Sequence, residues 1–494
     1  MADLQILQLL GIGLVFVLII LSMLYKKLPT MIALPLLAVL VSLIGGVSPG
    51  DLVEHVVGDG VLRLYKAYTI VMFGGMLSVL LQKTGIAEGF IKMGAELAGD
   101  RREIIGFVLV VFTALLFTTL NGLGAIIMLG TIILPILGSL GFNGLTVAAL
   151  FLMGINMGGV LNPANWALYM NVLNLDQTTI CNFALIVFVI DMMACIVLLV
   201  IDMGMVRKIK IKLKYILSLL LFLSGVLVFF KWVLPHVNTS FISRMYSAFK
   251  YFLNVFFILF VGVVFLLALF DFVKNFVGRK AGGSAVKWYA YLTPLLPLIF
   301  ILAYRLPFLA AFIIAIVFGY ISTYKKGNLR ILMSAIIEGA SGVMPAVILM
   351  MGIGMLLTAI MGPENSASYS SEWPVVLLLR PYISRIIPSE PFSYILTFAI
   401  MTPLVLYRGP LNVWGMGYGL AGVIMASGAL PASAIMGMLI AVGQVQGVCD
   451  PTNTHNIWIA NEIGVDVQNI LWKTLPYMWL VALAGLIVSA IIYL

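Results

Sequence analysis

The sequence is poor in charge. Lys, Arg, Asp and Glu make up 10% of its 494 residues, against about 25% in soluble domains. With 63% hydrophobic residues and a mean hydropathy of +1.15, that shortage excludes an ordinary water-exposed globular surface. Cysteine is scarce too. Cys181, Cys195 and Cys449 lie in or beside apolar segments, with no metal-ligand spacing and no disulfide framework. The three histidines, His55, His236 and His455, form no His-Glu-x-x-His run, so that zinc-hydrolase motif is missing. No Gly-x-x-x-x-Gly-Lys-Ser/Thr stretch occurs, which argues against ATP hydrolysis by this chain. Without a metal cluster or a nucleophile constellation, an embedded enzyme is the weakest function class, and no cofactor is expected. The net charge is +9, but the basic residues sit in short loops. There they read as topology signals rather than nucleic-acid contacts.

Apolar sequence is what the chain has in abundance. Runs of roughly 20 apolar residues recur, each long enough to cross the hydrocarbon core. The expected fold is an all-α polytopic membrane protein, embedded in the lipid bilayer with about 12 spans. The first run, 5–24, has no basic n-region and no small-residue cleavage site, so it reads as a retained helix. Compact loops and the lack of a targeting extension point to a prokaryotic cytoplasmic membrane.

Two stretches look like copies of one another. Gly158-Gly159-Val160-Leu161-Asn162-Pro163-Ala164-Asn165 aligns with Gln446-Gly447-Val448-Cys449-Asp450-Pro451-Thr452-Asn453, and Gly, Val, Pro and Asn are shared. Apolar runs precede both, at 145–154 and 433–442. Paired interruptions at corresponding places in two halves point to the binding site of a secondary transporter.

The positive-inside rule orders the rest. Span 5–24 leads to cytoplasmic Lys26 and Lys27, and span 31–47 leads to an outer amphipathic segment, 48–68. Span 69–82 reaches a cytoplasmic stretch with Lys83, Lys92, Arg101 and Arg102. Arms 104–120 and 125–140 then flank Asn121-Gly122-Leu123-Gly124. They read as a re-entrant hairpin open to the cytoplasm, with two ordinary spans as the alternative. A broken helix, 145–176, crosses outward, and 180–203 returns to the basic run 207–214. That run orients the chain, or binds lipid headgroups. Spans 215–234 and 252–273 follow, the second ending at Lys274, Arg279 and Lys280.

The pattern then restarts. Leu28-Pro29 is echoed by Leu306-Pro307, and Phe73-Gly74-Gly75-Met76-Leu77 by Gly352-Ile353-Gly354-Met355-Leu356. The second copy uses spans 289–304, 307–324 and 344–361, with Lys325, Lys326 and Arg330 inside. After a polar approach, 364–390, come hairpin arms 391–407 and 411–430, a broken helix 433–468, and a last span 474–494. The division is therefore 1–204 for the first repeat, with its hairpin at 104–140 and broken helix at 145–176. Residues 205–288 supply two connecting spans, and 289–494 form the second repeat, with its hairpin at 391–430. About five crossings per repeat, with two between them, make this an inverted-topology repeat. On that count the second hairpin opens outside and both termini lie outside.

The polar residues at the breaks are the candidate machinery. Asn162, Asn165, Asp450, Thr452, Asn453 and Thr454 flank them. Proline frees a carbonyl, and carbonyls with Asn and Thr suit Na⁺, the one metal ion expected. Half-helix N-termini favour an anion. A simple kink is the bland alternative. Asp450 is a midplane carboxylate that could bind a cation or carry a proton, and His455 could share that proton or make a buried structural hydrogen bond. Asp191 lies deep in another helix, where a polar neighbour could pair with it, and Asp202 lies near the boundary, where it reads as solvated. Arg408, in Tyr407-Arg408-Gly409-Pro410-Leu411-Asn412, sits at the second tip. Its guanidinium suits a carboxylate, or else it pairs with Asp450 or snorkels. Asn121 and Asn412 complete the lining from the two tips.

With those motifs the chain resembles the ion transporter superfamily, which includes divalent anion/sodium symporters, citrate–metal symporters, gluconate-type permeases, anaerobic dicarboxylate carriers and some sodium/proton antiporters. The likeness covers nearly the whole chain. In symporters of that group, hairpin tips and broken helices carry Ser-Asn-Thr-like motifs for sodium and substrate carboxylate. The matching places here hold Asn121-Gly122, Asn162-Pro163-Ala164-Asn165, Arg408-Gly409-Pro410 and Asp450-Pro451-Thr452-Asn453-Thr454. No strict Ser-Asn-Thr triplet stands at either tip, which leaves H⁺ and Na⁺ coupling both open. The resemblance also implies a homodimer with a fixed scaffold and a transport domain that moves as an elevator.

The expected function is secondary active transport of a small organic anion, a carboxylate, coupled to H⁺ or Na⁺. Substrate binding is expected at Asn121, Gly122, Asn162, Asn165, Arg408, Asn412, Thr452 and Asn453, and coupling-ion binding at Asn162, Asp450, Asn453, Thr454 and His455. The alternative is a Na⁺/H⁺ antiporter on the same scaffold, with Asp450 exchanging the ions. A passive channel fits a broken-helix repeat less well.

Overall fold

The computed structural model describes residues 2–25, 27–98, 102–207, 239–277, 286–325, 328–364 and 372–494. Every regular element among them is a helix. Seven of the described helices are long and apolar enough to cross a bilayer, or up to nine if each bent pair counts as one span, and six shorter apolar helices accompany them. The chain is an integral, multi-pass, all-helical membrane protein with broken helices.

The first half contains α1 (Ala2–Leu24), α2 (Thr30–Ile44), α3 (Pro49–Lys83) and α4 (Ile86–Leu97). A hairpin follows, α5 (Arg102–Phe117) and α6 (Leu123–Ser139). Next come the two pieces of the first broken helix, α7 (Gly144–Val160) and α8 (Pro163–Leu173), bent by 51°, and then α9 (Gln177–Arg207). Between the halves lies α10 (Thr239–Val277). The second half has α11 (Trp288–Tyr304), α12 (Phe308–Ser322), α13 (Leu329–Met361) and α14 (Pro374–Ile386). Its hairpin is α15 (Pro391–Met401) and α16 (Tyr418–Ser427). The second broken helix is α17 (Ala432–Cys449) with α18 (Thr454–Ile463), and α19 (Val467–Tyr493) ends the chain.

The order therefore recurs. Helix, long helix, short amphipathic helix, hairpin, broken helix and closing helix appear as α2–α9 and again as α12–α19. Details recur with it. Both α2 and α12 are 15 residues long and start after a proline, Pro29 or Pro307. Both broken helices end on a left-handed residue, Asn174 or Gly464, and both closing helices are capped by an aspartate. Asp176 accepts from Thr179 N at 3.0 Å, and Asp466 from Gln468 N at 2.8 Å.

Helices α3 and α13 are antiparallel and touch through glycines. A Cβ on Gly60 would lie 2.8 Å from Met355 Cα, and one on Gly75 would lie 2.5 Å from the Gly339 carbonyl oxygen. Small residues let backbones approach in this way where lipid supplies no hydrophobic drive between helices. The two contacts are about 15 residues apart on each helix, roughly 22 Å along the axis. The Gly-Met-Leu echo of the sequence thus has a packing reason, because Gly75 and Gly354 occupy equivalent crossings. The core runs through the broken helices: 78% of the α17–α18 window and most of α7 are buried, against 17% of the α1 window.

Several boundaries differ from those expected. Segments 48–68 and 69–82 form the single helix α3, with a π-helical turn at Leu52–Asp59. The stretch after Lys83, expected to be cytoplasmic, contains α4, and the polar approach 364–390 contains α14. Both are strongly amphipathic, which apolar-run counting overlooks. Span 344–361 is the last part of α13. Span 289–304 starts as a 3-10 helix, Trp288–Leu295, because Pro294 and Pro297 remove amide donors. Span 252–273 lies within α10, whereas 215–234 and the basic run beyond Arg207 lie outside the described residues.

Candidate functional site

Both breaks form for a local reason. The residue before a proline is driven out of the helical region, and Asn162 (φ −78°, ψ 119°) and Asp450 (φ −68°, ψ 111°) obey. Carbonyls freed at the breaks find side chains. Gly159 O accepts from Asn165 Nδ2 at 2.7 Å and Val160 O from Trp166 Nε1 at 2.7 Å. In the second break Gln446 O accepts from Asn453 Nδ2 at 2.8 Å and Val448 O from Asn456 Nδ2 at 2.9 Å. Gly447 O lies 3.2 Å from a ring nitrogen of His455.

Each hairpin tip ends at its break. Asn162 Nδ2 donates to Phe117 O (3.1 Å) and to Asn121 Oδ1 (3.2 Å), while its Oδ1 accepts from Ala164 N (2.9 Å). Asp450 does the converse. Its carboxylate accepts from Tyr407 N (3.1 Å), Arg408 N (3.5 Å), Asn412 Nδ2 (3.3 Å), Thr452 N (2.9 Å) and Thr452 Oγ1 (2.7 Å). Tyr407 and Arg408 both have left-handed backbones, φ 54° and 58°. Their two amides, with the Asn412 and Thr452 donors, make a small donor nest that a carboxylate of the chain itself fills.

Between the two breaks lies a cavity of about 210 Å³. Ligand pockets commonly run about 300–1,000 Å³, so this one suits a small solute. Its wall is built from equivalent pairs: Ile155 with Gly443, Asn156 with Gln444, Gly159 with Gly447, Asn165 with Asn453. Asn156 and Gln444 each stand six residues before their break and bond to one another, Nδ2 to Oε1, at 2.6 Å. Gln446 and His455 add polar atoms, and Tyr169, Trp414 and Tyr418 add aromatic faces. Among the described residues no Lys, Arg, Asp or Glu lines it.

The expected site residues fall into four groups. Asn165, Asn453 and His455 line this cavity. Asn162, Asn412, Thr452 and Asp450 fasten tips to breaks behind it. Asn121 and Gly122 line a second cavity of about 470 Å³, with Gly75, Lys83, Glu338 and Gly339, between the first tip and the α3–α13 pair. Lys83 and Glu338 form an ion pair there, at 2.9 Å. Arg408 brings its amide, not its guanidinium, to Asp450, and the residue is exposed, as is Thr454. Asn156, Gln444 and Gln446 were not among the expected residues. Their signal is nonetheless present: amides inside otherwise apolar runs, just ahead of each Pro motif.

No protein-family model and no curated protein matches the sequence. Solved structures do resemble the fold. The structure of Neisseria gonorrhoeae MtrF, described as illuminating a class of antimetabolite efflux pumps, matches with a TM-score of 0.51 and 14% identity over 94% of this chain and 95% of that one. The Alcanivorax borkumensis YdaH transporter, reported to have an unusual topology, matches at 0.47 and 12% identity over 87% and 86%. The fold is thus shared with MtrF along nearly the whole length of both chains.

Proposed function

We propose that the chain is a secondary active transporter of a small organic anion, a carboxylate, coupled to H⁺ or Na⁺. The cavity between the two broken helices carries this reading. Two half-helices, α8 and α18, begin beside it, and Asn165 and Asn453 from their starts line its wall. Half-helix N-termini offer amide donors and a partial positive charge to an anion. On this reading those ends and the wall amides, rather than the Arg408 guanidinium, hold the carboxylate, since Arg408 does not line the cavity in the described conformation. An uncompensated charge deep in the membrane is costly, and the described wall carries no fixed charge. A co-transported cation would offset that cost, which is how coupling would arise. The same lack of a lining carboxylate weighs against the Na⁺/H⁺ antiporter. The fold shared with MtrF makes export a direction to test alongside uptake. The homodimer and the moving transport domain belong to the proposal through the family resemblance alone.

The test is flux in proteoliposomes. Proton and sodium movement are followed while lactate, succinate, citrate and gluconate are added in turn to either side. Ion movement that depends on one acid is the expected result. Sodium–proton exchange with no acid present would replace this reading by the antiporter.

A further inference from the structure

Among the described residues three aspartates are buried in the bundle, and two have full sets of partners. Asp450 accepts from five donors. Asp202 is held by the Thr146 hydroxyl and the Lys473 ammonium. Asp191 is different. It is 1% exposed, on α9, inside the span Gln177–Asp202, roughly 21 Å from one end of that span and 16 Å from the other. Its Oδ2 lies 3.4 Å from Asn156 Nδ2, and its Oδ1 is buried with no hydrogen-bond partner among the described residues. An ionised carboxylate so poorly matched is expensive, and taking up a proton relieves it.

The described surroundings supply no countercharge. Helix α7 has no titratable side chain, α8 has Tyr169 and α17 has Cys449. Helix α5 has Arg102 and Glu103 at its far end. Helix α19 has Lys473, engaged by Asp202, with Tyr477 and Tyr493. On α9 itself Cys195 lies one turn away. The second half offers no equivalent either. Counting from the matched caps Asp176 and Asp466, the corresponding position is the buried Val481.

Asp191 nonetheless reaches the cavity through one residue. Asn156 shares its Nδ2 between Asp191 Oδ2 and Gln444 Oε1, and both Asn156 and Gln444 line the wall. The two hydrogens of that NH₂ group serve one partner each, and the first bond is stronger to a charged carboxylate than to a protonated one.

We infer that Asp191 takes up and releases the coupled proton, and that Asn156 passes its charge state to the cavity wall. This rests on the reading of the chain as a coupled transporter, and it names the ion as H⁺. A sodium site would need several oxygen ligands around the carboxylate, whereas the neighbour here is an amide donor.

Two measurements test it. The first needs no substrate: infrared spectra of the full chain in nanodiscs along a pH titration, with circular dichroism as a check on folding. A protonated-carboxyl band that is lost in Asp191→Asn and shifted in Asp191→Glu supports the assignment. A spectrum unchanged by both substitutions overturns it. The second is flux in proteoliposomes with the four acids above. Asp191→Asn is expected to keep exchange of the acid that the wild type moves, and to lose acid-dependent proton movement. Proton movement that survives the substitution, or sodium-driven flux indifferent to it, overturns the inference. If the wild type moves none of the acids, the transport reading fails for them, while the infrared result still decides whether Asp191 titrates.

Discussion

An amide and a carboxylate occupy equivalent places at the two breaks, and their partners dictate which is which. Asn162 faces a carbonyl and Asn121 Oδ1, so it must donate. Asp450 faces amides and a hydroxyl, so it must accept. A carboxylate only accepts, whereas an amide also presents an NH₂ group. Asp450→Asn therefore turns a donor group toward donors and leaves part of the nest unsatisfied. A loss of about 1–3 kcal/mol is expected, read as a lower melting temperature in detergent. An unchanged melt would show that the nest adds nothing to stability. At this scale the sequence is a partial guide. The Pro-Asn pairs announce the breaks because proline acts on its own backbone. Whether a neighbouring side chain faces the cavity or the hairpin depends on how a distant tip packs, as Asn412 and Arg408 show.

Element contacts were harder to anticipate than elements. Gly75 and Gly339 meet backbone to backbone, so Gly339→Val should separate α3 from α13. At Gly138, on α6, an added methyl would meet nothing within 4 Å, so Gly138→Ala should be neutral or stabilising by roughly 0.5–1 kcal/mol. Loss of monodisperse protein in the first and not the second, by size-exclusion chromatography, is the expected contrast. The cap at Asp176 gives a pH dependence. The Thr179 hydroxyl and amide hold this carboxyl below its ordinary range. Its stabilisation is thus fully present at neutral pH and is lost as pH falls through the depressed value. Asp176→Asn should flatten that part of a stability-against-pH curve. Long apolar helices were readable from composition, since the bilayer fixes their length. The amphipathic α4 and α14 were not, because their polar faces break up the apolar run that identifies a span.

For the whole molecule, the repeated order of elements carries over from the sequence echoes, and the two halves meet at the Asn156–Gln444 bond. The departures from the repeat, Asp191 against Val481 and Asn162 against Asp450, are where one half does something the other does not. Accessibility offers a test of the cavity. Cys181, Cys195 and Cys449 are all buried, so a membrane-impermeant maleimide should leave the folded wild type unmodified and react after denaturation. In that silent background, Trp414→Cys places a thiol on the cavity wall. Its labelling should slow when the transported acid is present. Fast labelling of the wild type would contradict the packing around those three thiols.

The two glycine contacts between α3 and α13 act together as a dovetail joint. Sliding either helix by one turn, about 5.4 Å, would drive a side chain into backbone at both contacts at once. The pair is therefore a stator: it can tilt as a unit but cannot shear internally. On the proposed transport reading, the displacement that lets solute reach the cavity falls at the seams where this pair meets the hairpins and broken helices.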